Sequence, residues 1–324
     1  MACKLAVIFP VWALTTTAAG QGPATFRADV SLVHVDAEVA AADGRVLTGL
    51  SKEDFRVFDE GAGQPVLSFA AEDVPLDLIL LFDISGSMRP VVQQVASAAR
   101  EGLRELRQGD RVSVMVFNTR SRVILPFTED LDTVEQAIKD DVLDLKFGGG
   151  TLIQSSVDDA ARRFLHESKT QRRRAVLIIT DNIGMRTRRE QSVVRDFWEA
   201  DALLSGLIIR HRFAAAAHSV GRVIAPQTML MQAGMKGIAE KTGGDAIAAD
   251  EAGPSFRDMM HRIRSRYSLY YAMPQDTPGK TRTIRVELTA DAQHRYPKSR
   301  VRARHGYIVP TRTIPPSPSP SISR

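Results

Sequence analysis

Cysteine is nearly absent from this sequence of 324 residues, and the one cysteine, Cys3, lies close to the amino terminus. Disulfides, thiolate metal sites and thiol catalysis therefore have no residues to use in the rest of the chain. Aromatic residues make up only 6%, and the formal charge of +5 comes from scattered arginines rather than one basic block. Without basic patches interleaved with aromatic residues, nucleic acid is not an expected partner.

Long apolar runs are also missing. Lys4 precedes a short apolar stretch from Leu5 to Leu14, and small residues follow in "TTTAAGQ". This order predicts a Sec-type signal peptide over residues 1–21. Pro10 and the brevity of the apolar stretch argue against a membrane-spanning helix. We expect a secreted or periplasmic protein with no integral membrane segment after signal cleavage.

The middle of the chain, residues 75–252, alternates apolar runs with helical patterns. Strands alternating with helices predict an α/β fold with a doubly wound, mostly parallel sheet. The predicted strands cover 77–82, 111–117, 175–180 and 203–209, and the predicted helices cover 90–106, 131–139, 152–167 and 229–242.

Short strand-like segments lie on both sides of this region. Residues 22–74 and 267–310 show alternating β-branched and polar residues with turn signals, and a connecting helix is predicted at 253–266. Two or three strands are rarely stable alone. We therefore expect one small β-sandwich built from both ends of the chain, with the α/β domain inserted in it. The Pro/Ser-rich residues 311–324 are predicted to be a disordered tail.

Acid and hydroxyl side chains occur at three places in the predicted α/β region, two of them after strands and one after a glycine-rich stretch. The first predicted strand of the α/β region is followed by Asp83, Ser85 and Ser87 in "LLFDISGSMRP". Thr151 follows three glycines in "FGGGTLI", and Asp181 follows a strand in "VLIITDN". Ligands of doubly wound sheets bind at the carboxyl ends of strands, so these side chains should meet there. Oxygen donors without His or Cys predict a site for Mg²⁺, or else Mn²⁺ or Ca²⁺.

Such a site would retain water in the coordination shell of its ion, because only two of the five ligands are carboxylates. We expect an open coordination position, filled by a carboxylate of a protein partner. Each residue also has an ordinary structural interpretation: Ser87 and Thr151 could cap helices, and Asp181 could be a turn residue. No single residue decides between these interpretations, whereas the whole set favours the metal site.

The motifs "DISGSM", "GGGT" and "ITD", in this order, resemble the metal-ion-dependent adhesion site of von Willebrand factor type A (VWFA) domains. The resemblance covers roughly residues 75–250 and implies a Rossmann-like domain. It also implies that Ser85, Ser87 and Thr151 contact the ion, while the two aspartates complete its shell, often through water. Asn182 stands where the family usually has glycine. Asparagine tolerates left-handed backbone better than most residues, so we expect the loop to be retained.

The flanking segments are similar to those of bacterial secreted proteins called VWFA-related. The similar stretches are "GLSKEDFRVFDEGAGQPVLSF", "TGG" at 242–244, "YSLYYAMP" and "ARHGY". This similarity supports the predicted architecture, since the partners of that group are generally unknown.

Two arginine clusters lie on either side of the predicted strand at 175–180. Arg186, Arg188 and Arg189 follow Asp181, and they form either an electropositive rim for an acidic partner or an ordinary solvated loop. Arg172 to Arg174 precede a strand and are predicted to be solvated at the opposite edge of the sheet.

The predicted function is an exported, divalent-cation-dependent binding or adhesion module that is not an enzyme. One alternative is a scaffold domain of a cell-surface or periplasmic assembly with a non-functional metal site. A metal-dependent hydrolase is a weaker alternative, because no general base is evident beside the five ligands. His-Glu-x-x-His and Gly-x-Ser-x-Gly motifs are also missing from the sequence.

Overall fold

The computed structural model describes residues 31–71, 74–167, 172–184, 188–210, 231–232 and 234–310. The predicted signal peptide at 1–21, the predicted tail at 311–324 and Arg186 lie outside the described residues. Within the described ranges, the helices are too short or too polar to cross a bilayer.

Strands and helices are numbered here in chain order. The strands are β1 (Leu32–Ala40), β2 (Phe55–Asp59), β3 (Ala62–Gln64), β4 (Ser68–Ala71), β5 (Leu76–Asp83), β6 (Arg111–Phe117), β7 (Ser121–Thr128), β8 (Arg173–Thr180), β9 (Ile183–Gly184), β10 (Leu203–Ile209), β11 (Met231–Gln232), β12 (Ala246–Ala249), β13 (Tyr267–Ala272), β14 (Thr281–Leu288), β15 (Arg300–Ala303) and β16 (Gly306–Ile308). The helices are α1 (Arg89–Leu103), α2 (Leu131–Gln136), which continues as one π-helical turn (Ala137–Val142), α3 (Ile153–Leu165), α4 (Glu190–Glu199), α5 (Met235–Thr242), α6 (Ala252–Arg264) and α7 (Ala290–Arg295).

The central sheet has six strands in the order β12-β10-β8-β5-β6-β7. All neighbours pair in parallel except β7, which is antiparallel to β6 at one edge. Strand β5 comes first in the chain yet lies between β8 and β6, so the strand order reverses beside it. This reversal is the point where doubly wound sheets place their ligands. The prediction of an α/β fold with a mostly parallel sheet is confirmed.

Strand β5 forms because six of its eight residues are apolar and lie on both faces of the sheet, and all eight residues are buried. Leu80 and Phe82 pack toward helices α1, α2 and α6, while Ile79 and Leu81 pack toward α3, α4 and α5. Continuous apolar strands of this kind are typical of parallel sheets covered by helices on both sides. The carboxyl end of β5, where the loop with Ser85 and Ser87 begins, is therefore packed between helices on both faces.

Two antiparallel sheets combine segments from before and after the α/β region. Their strand orders are β15-β1-β13-β4 and β16-β14-β2-β3. Val35 pairs with Leu269, and Val57 pairs with Val286, so each sheet contains strands from both parts of the chain. Apolar side chains of both sheets contribute to one hydrophobic cluster.

Helix α6, the segment predicted as a connecting helix, packs against α1. Phe256, Met259 and Met260 are fully buried in the cluster that covers one face of the central sheet. A side chain at Gly102 in α1 would overlap the ring of Phe256, so the glycine allows the two helices to approach closely.

The prediction that Arg172 to Arg174 are solvated is wrong. Arg173 is only 1% exposed, and Arg174 is also buried. The Arg173 guanidinium lies 3.2 Å from a carboxylate oxygen of Asp36 in β1 and donates to the carbonyl oxygens of Ile263 and Arg264 in α6. Arg173 is buried because β1 and the end of α6 supply acceptors for it at this edge of the sheet. Arg174 donates to the carbonyl oxygen of Ala200 after α4, and Arg172 pairs with Asp77 in β5.

Candidate functional site

The loop after β5 is organised by the carboxylate of Asp83. This side chain is fully buried, and its Oδ1 accepts a hydrogen bond of 2.9 Å from the backbone N–H of Ser85. Ser85 is buried and Ser87 is exposed, and their hydroxyl oxygens lie 3.5 Å apart. The alternating spacing therefore directs the two hydroxyls to the same place.

The other oxygen of Asp83 connects this loop to the end of β8. The Thr180 hydroxyl donates to Asp83 Oδ2 at 2.7 Å, and the backbone N–H of Asn182 donates to Thr180 Oγ1 at 3.0 Å. Thr180 thus joins the loops that follow two neighbouring strands. The sequence reading missed this residue, since a threonine at the end of an apolar strand looks like an ordinary strand former.

Asp181 lies next to the first loop. Its Oδ2 accepts a hydrogen bond of 2.7 Å from the Ser87 hydroxyl, and its Oδ1 accepts one of 3.0 Å from the backbone N–H of Ile183. Asn182 has a φ of 59°, in the left-handed region. Asn182 therefore takes the left-handed conformation for which asparagine is better suited than most other residues.

The glycine-rich loop before Thr151 contacts the loop after β5. The backbone N–H of Gly148 donates to the carbonyl oxygen of Ile84 at 2.9 Å, and the Asn118 side-chain amide donates to the Gly148 carbonyl oxygen at 3.1 Å. Gly149 has a φ of 88°, which glycine adopts without strain. Asn118 follows β6 and is a second supporting residue that the sequence reading missed.

Thr151 itself is buried, with 8% of its surface exposed. Its carbonyl oxygen would lie 2.7 Å from a Cβ atom placed on Gly184, so its backbone packs directly against the loop that follows Asp181. The structure therefore joins Asp83, Ser85, Ser87 and Asp181 through hydrogen bonds. It places Thr151 on a third loop that touches the other two.

The electrostatics of the site disfavour two free negative charges. Burial raises the pKa of Asp83 to about 6, and the negative charge of Asp181 acts in the same direction. Hydrogen bonds from Ser85 and Thr180 oppose the increase but do not cancel it. A cation beside these two carboxylates would offset both the repulsion and the cost of burial.

The donor chemistry fits a hard dication. The set contains two carboxylates and three hydroxyls, and such oxygen donors suit magnesium, manganese or calcium. Among the described residues, no three acidic, histidine or cysteine side chains cluster as a metal site. A metal site at this edge would consequently depend on hydroxyl ligands. The buried Asn182 Oδ1 also has no hydrogen-bond partner within the described part of the chain.

The predicted electropositive rim is only partly described, since Arg186 lies outside the described residues. Arg188 is not a free cation, because its guanidinium pairs with Asp158 in α3. Its backbone N–H also donates to the Gln154 side chain at 3.0 Å. Arg188 therefore fits neither the electropositive rim nor the solvated loop. It contacts α3 instead, through Asp158 and Gln154.

Together these features define a class of protein: a doubly wound α/β domain with an acid-and-hydroxyl site at its strand switch point. Residues 78–184 match the family described as von Willebrand factor type A domain, and all five candidate ligands lie within the match. The chain therefore contains a VWFA domain, as the sequence motifs predicted.

Several solved structures are similar to parts of the chain. An aerotolerance-related membrane protein from Bacteroides fragilis NCTC 9343 is 16% identical, with 58% of this chain and 98% of that chain covered and a TM-score of 0.44. The conserved hypothetical protein BatB from Bacteroides thetaiotaomicron is 21% identical, with 58% and 97% covered and a TM-score of 0.42. The vWF domain of the type V pili tip protein Mfa5 from Porphyromonas gingivalis is 19% identical, with 35% and 39% covered and a TM-score of 0.29. No curated protein matches the chain.

Proposed function

We propose that this protein is an exported binding or adhesion module that captures an acidic group of a protein partner through a divalent cation. The cation is Mg²⁺, with Mn²⁺ and Ca²⁺ as the alternatives. The observation that carries this proposal is the Ser87–Asp181 hydrogen bond of 2.7 Å, which joins two of the candidate ligands from separate loops.

The residues that would hold the ion are Asp83, Ser85, Ser87, Thr151 and Asp181. When bound, the ion supplies positive charge and an open position for a carboxylate. Asp83 is fixed in place by Ser85 and Thr180, so its carboxylate needs little rearrangement to act as a ligand. Preorganised ligands of this kind lower the entropic cost of binding.

The hydrogen bonding supports binding rather than catalysis. Each oxygen of Asp83 accepts a hydrogen bond, and so does each oxygen of Asp181. A hydrolase would need a further carboxylate or imidazole placed to take a proton from water. The described residues around the five ligands supply no such base.

We also propose that the two antiparallel sheets form a β-sandwich that carries the VWFA domain. Their shared hydrophobic cluster supports this arrangement, because side chains such as Val35, Val57 and Tyr271 from both sheets are buried in it. The predicted signal peptide supports export to the periplasm or the cell exterior.

Calorimetry tests the metal site directly. Magnesium chloride is titrated into chelator-treated wild-type protein and into the Ser87→Ala and Thr151→Ala variants. Ser97→Ala is a matched control, since Ser97 is an exposed α1 residue whose hydroxyl donates to the carbonyl oxygen of Gln93 in the same helix. We expect saturable binding by wild type and Ser97→Ala, and binding at least about tenfold weaker in the other two variants. Equal heats in all four proteins would contradict the metal site and leave the scaffold function.

A further inference from the structure

Arg89 is an exposed cation beside the candidate metal site. It is the first residue of α1 and follows Ser87 by two positions. Its Nη2 donates to the carbonyl oxygen of Leu145 at 2.9 Å, and its guanidinium carbon lies 4.6 Å from the centre of the Phe147 ring. The side chain therefore extends from the start of α1, next to the Ser87 loop, to the segment that precedes Thr151.

This segment is itself fixed to the site. Phe147 packs against the hydrophobic core, and the next residue, Gly148, donates its backbone N–H to the carbonyl oxygen of Ile84. The guanidinium of Arg89 thus lies on a surface shared by two loops that carry candidate ligands. Its position is set by an aromatic ring and a carbonyl group, which orient it without neutralising its charge.

Arg89 differs in this respect from Arg188. Arg188 pairs with Asp158, whereas no carboxylate of the described residues forms an ion pair with Arg89. A guanidinium has five N–H donors in a planar fork, and the Leu145 carbonyl uses one of them. The remaining donors suit a carboxylate, which arginine binds through two parallel hydrogen bonds.

We propose that Arg89 forms a second carboxylate-binding site beside the candidate metal site, so that the partner presents two neighbouring acidic side chains. This inference rests on the proposed function in one respect: the first carboxylate is bound by the metal ion. The second carboxylate is bound without the metal ion, by the Arg89 guanidinium that packs on Phe147. The partner surface is accordingly an acidic protein segment rather than a single isolated acid.

Short peptides test this inference with the purified protein. The probes are a capped Gly-Asp-Gly peptide and peptides in which a second Asp is separated from the first by none, one or two glycines. Binding is measured by calorimetry in magnesium chloride and again in EDTA. We expect one of the two-acid peptides to bind wild type about tenfold more tightly than the one-acid peptide. In Arg89→Gln this preference should disappear, while the affinity for magnesium alone stays unchanged.

Arg56→Gln is the matched control. Arg56 is also exposed and lies 5.3 Å from the centre of a phenylalanine ring, that of Phe58, but it belongs to β2 in an antiparallel sheet. An equal loss of preference in Arg56→Gln would overturn the inference, since the effect would then follow net charge. It would also be overturned if Arg89→Gln kept the preference or if wild type had none.

The EDTA arm separates this inference from the proposed function. A two-acid preference that survives EDTA and is lost in Arg89→Gln would support the Arg89 site and contradict the metal-dependent function. Binding seen only with magnesium, with the preference lost in Arg89→Gln, would support both. Binding of no peptide under either condition would overturn both.

Discussion

The side chains of Ser87 and Asp181 are joined by a hydrogen bond of 2.7 Å, although 94 residues separate them in the sequence. The contact exists because β5 and β8 are parallel neighbours, so the loops at their carboxyl ends leave the sheet side by side. A hydroxyl and a carboxylate held this close can share one cation.

Asp181→Asn is expected to weaken magnesium binding by about tenfold or more, because it removes one of only two negative charges in the ligand set. The amide keeps the size of the side chain and an oxygen that accepts hydrogen bonds, so the thermal midpoint without metal should barely change. Calorimetry and a thermal melt measure the two effects. Asp159→Asn is the control, since Asp159 accepts a hydrogen bond from Ser121 at another exposed position. The same loss of affinity in both variants would contradict a specific role for Asp181.

Asn182 gives a prediction about the backbone. Its φ of 59° is unfavourable for a residue with an ordinary Cβ, while glycine adopts it freely. Asn182→Gly should therefore be more stable than Asn182→Ala by about 1 kcal/mol. Denaturant unfolding of the two variants measures the difference, and equal stabilities would show that the positive φ is not retained.

The five candidate ligands could be found from sequence because each follows a recognisable strand or glycine run. Thr180 and Asn118 could not. The Thr180 hydroxyl acts on Asp83, 97 residues away, and nothing near Thr180 in the sequence marks that partner. Residues that support a site from another strand become visible only when the strand order is known.

The arginines at the start of β8 show that burial, too, can depend on residues that are distant in the sequence. Three consecutive arginines are typical of a solvated turn, yet Arg173 is buried against Asp36, 137 positions earlier in the chain.

The predicted helix over 229–242 begins instead at Met235 within the described residues, because Gly234 takes a left-handed conformation just before it. Strand β7 is not among the predicted strands. It contains Pro126, which a strand tolerates at the edge of a sheet, where β7 lies.

Tyr271→Phe should destabilise the antiparallel sheets. The Tyr271 hydroxyl donates to the buried carboxylate of Asp59 at 2.7 Å, and Tyr307 donates to the same oxygen at 3.0 Å. Burial, together with Asp59, raises the pKa of Tyr271, so the phenol keeps its proton and remains a donor. Loss of a hydrogen bond to a buried charge should lower the free energy of unfolding by about 1.5–3 kcal/mol. Urea unfolding measures it, and an unchanged midpoint would contradict this role of the hydroxyl.

Arg173→Met should be more severe. The variant removes the guanidinium that pairs with the Asp36 carboxylate and donates to two carbonyl oxygens at the end of α6, and leaves Asp36 with Ser268 and His34 as partners. Removing one partner of a buried ion pair costs about 3–5 kcal/mol. Arg45→Met is the control, because the Arg45–Asp43 pair is largely exposed and should contribute little. Similar unfolding midpoints for the two variants would show that burial of Arg173 has no energetic consequence.

His34 makes stability depend on pH. Its Nε2 lies 3.2 Å from Asp36 and its Nδ1 lies 3.5 Å from Asp201, and its ring stacks on Tyr270. Burial lowers the pKa of His34, but the two carboxylates outweigh burial and raise it to about 9, above the ordinary value of 6.5. The other charged groups near these carboxylates are Arg173, Arg174, Arg266 and Arg304.

Since the folded-state pKa is the higher one, the folded protein binds the His34 proton more tightly than the unfolded chain does. The resulting stabilisation is fully present below about pH 6.5 and is lost as the pH rises through about 9. In this window the free energy of unfolding of wild type should fall relative to His34→Gln, by up to about 1.4 kcal/mol per pH unit. Urea unfolding of both proteins across this range measures the difference. A gap that stays constant or widens with rising pH would contradict a protonated His34 between Asp36 and Asp201.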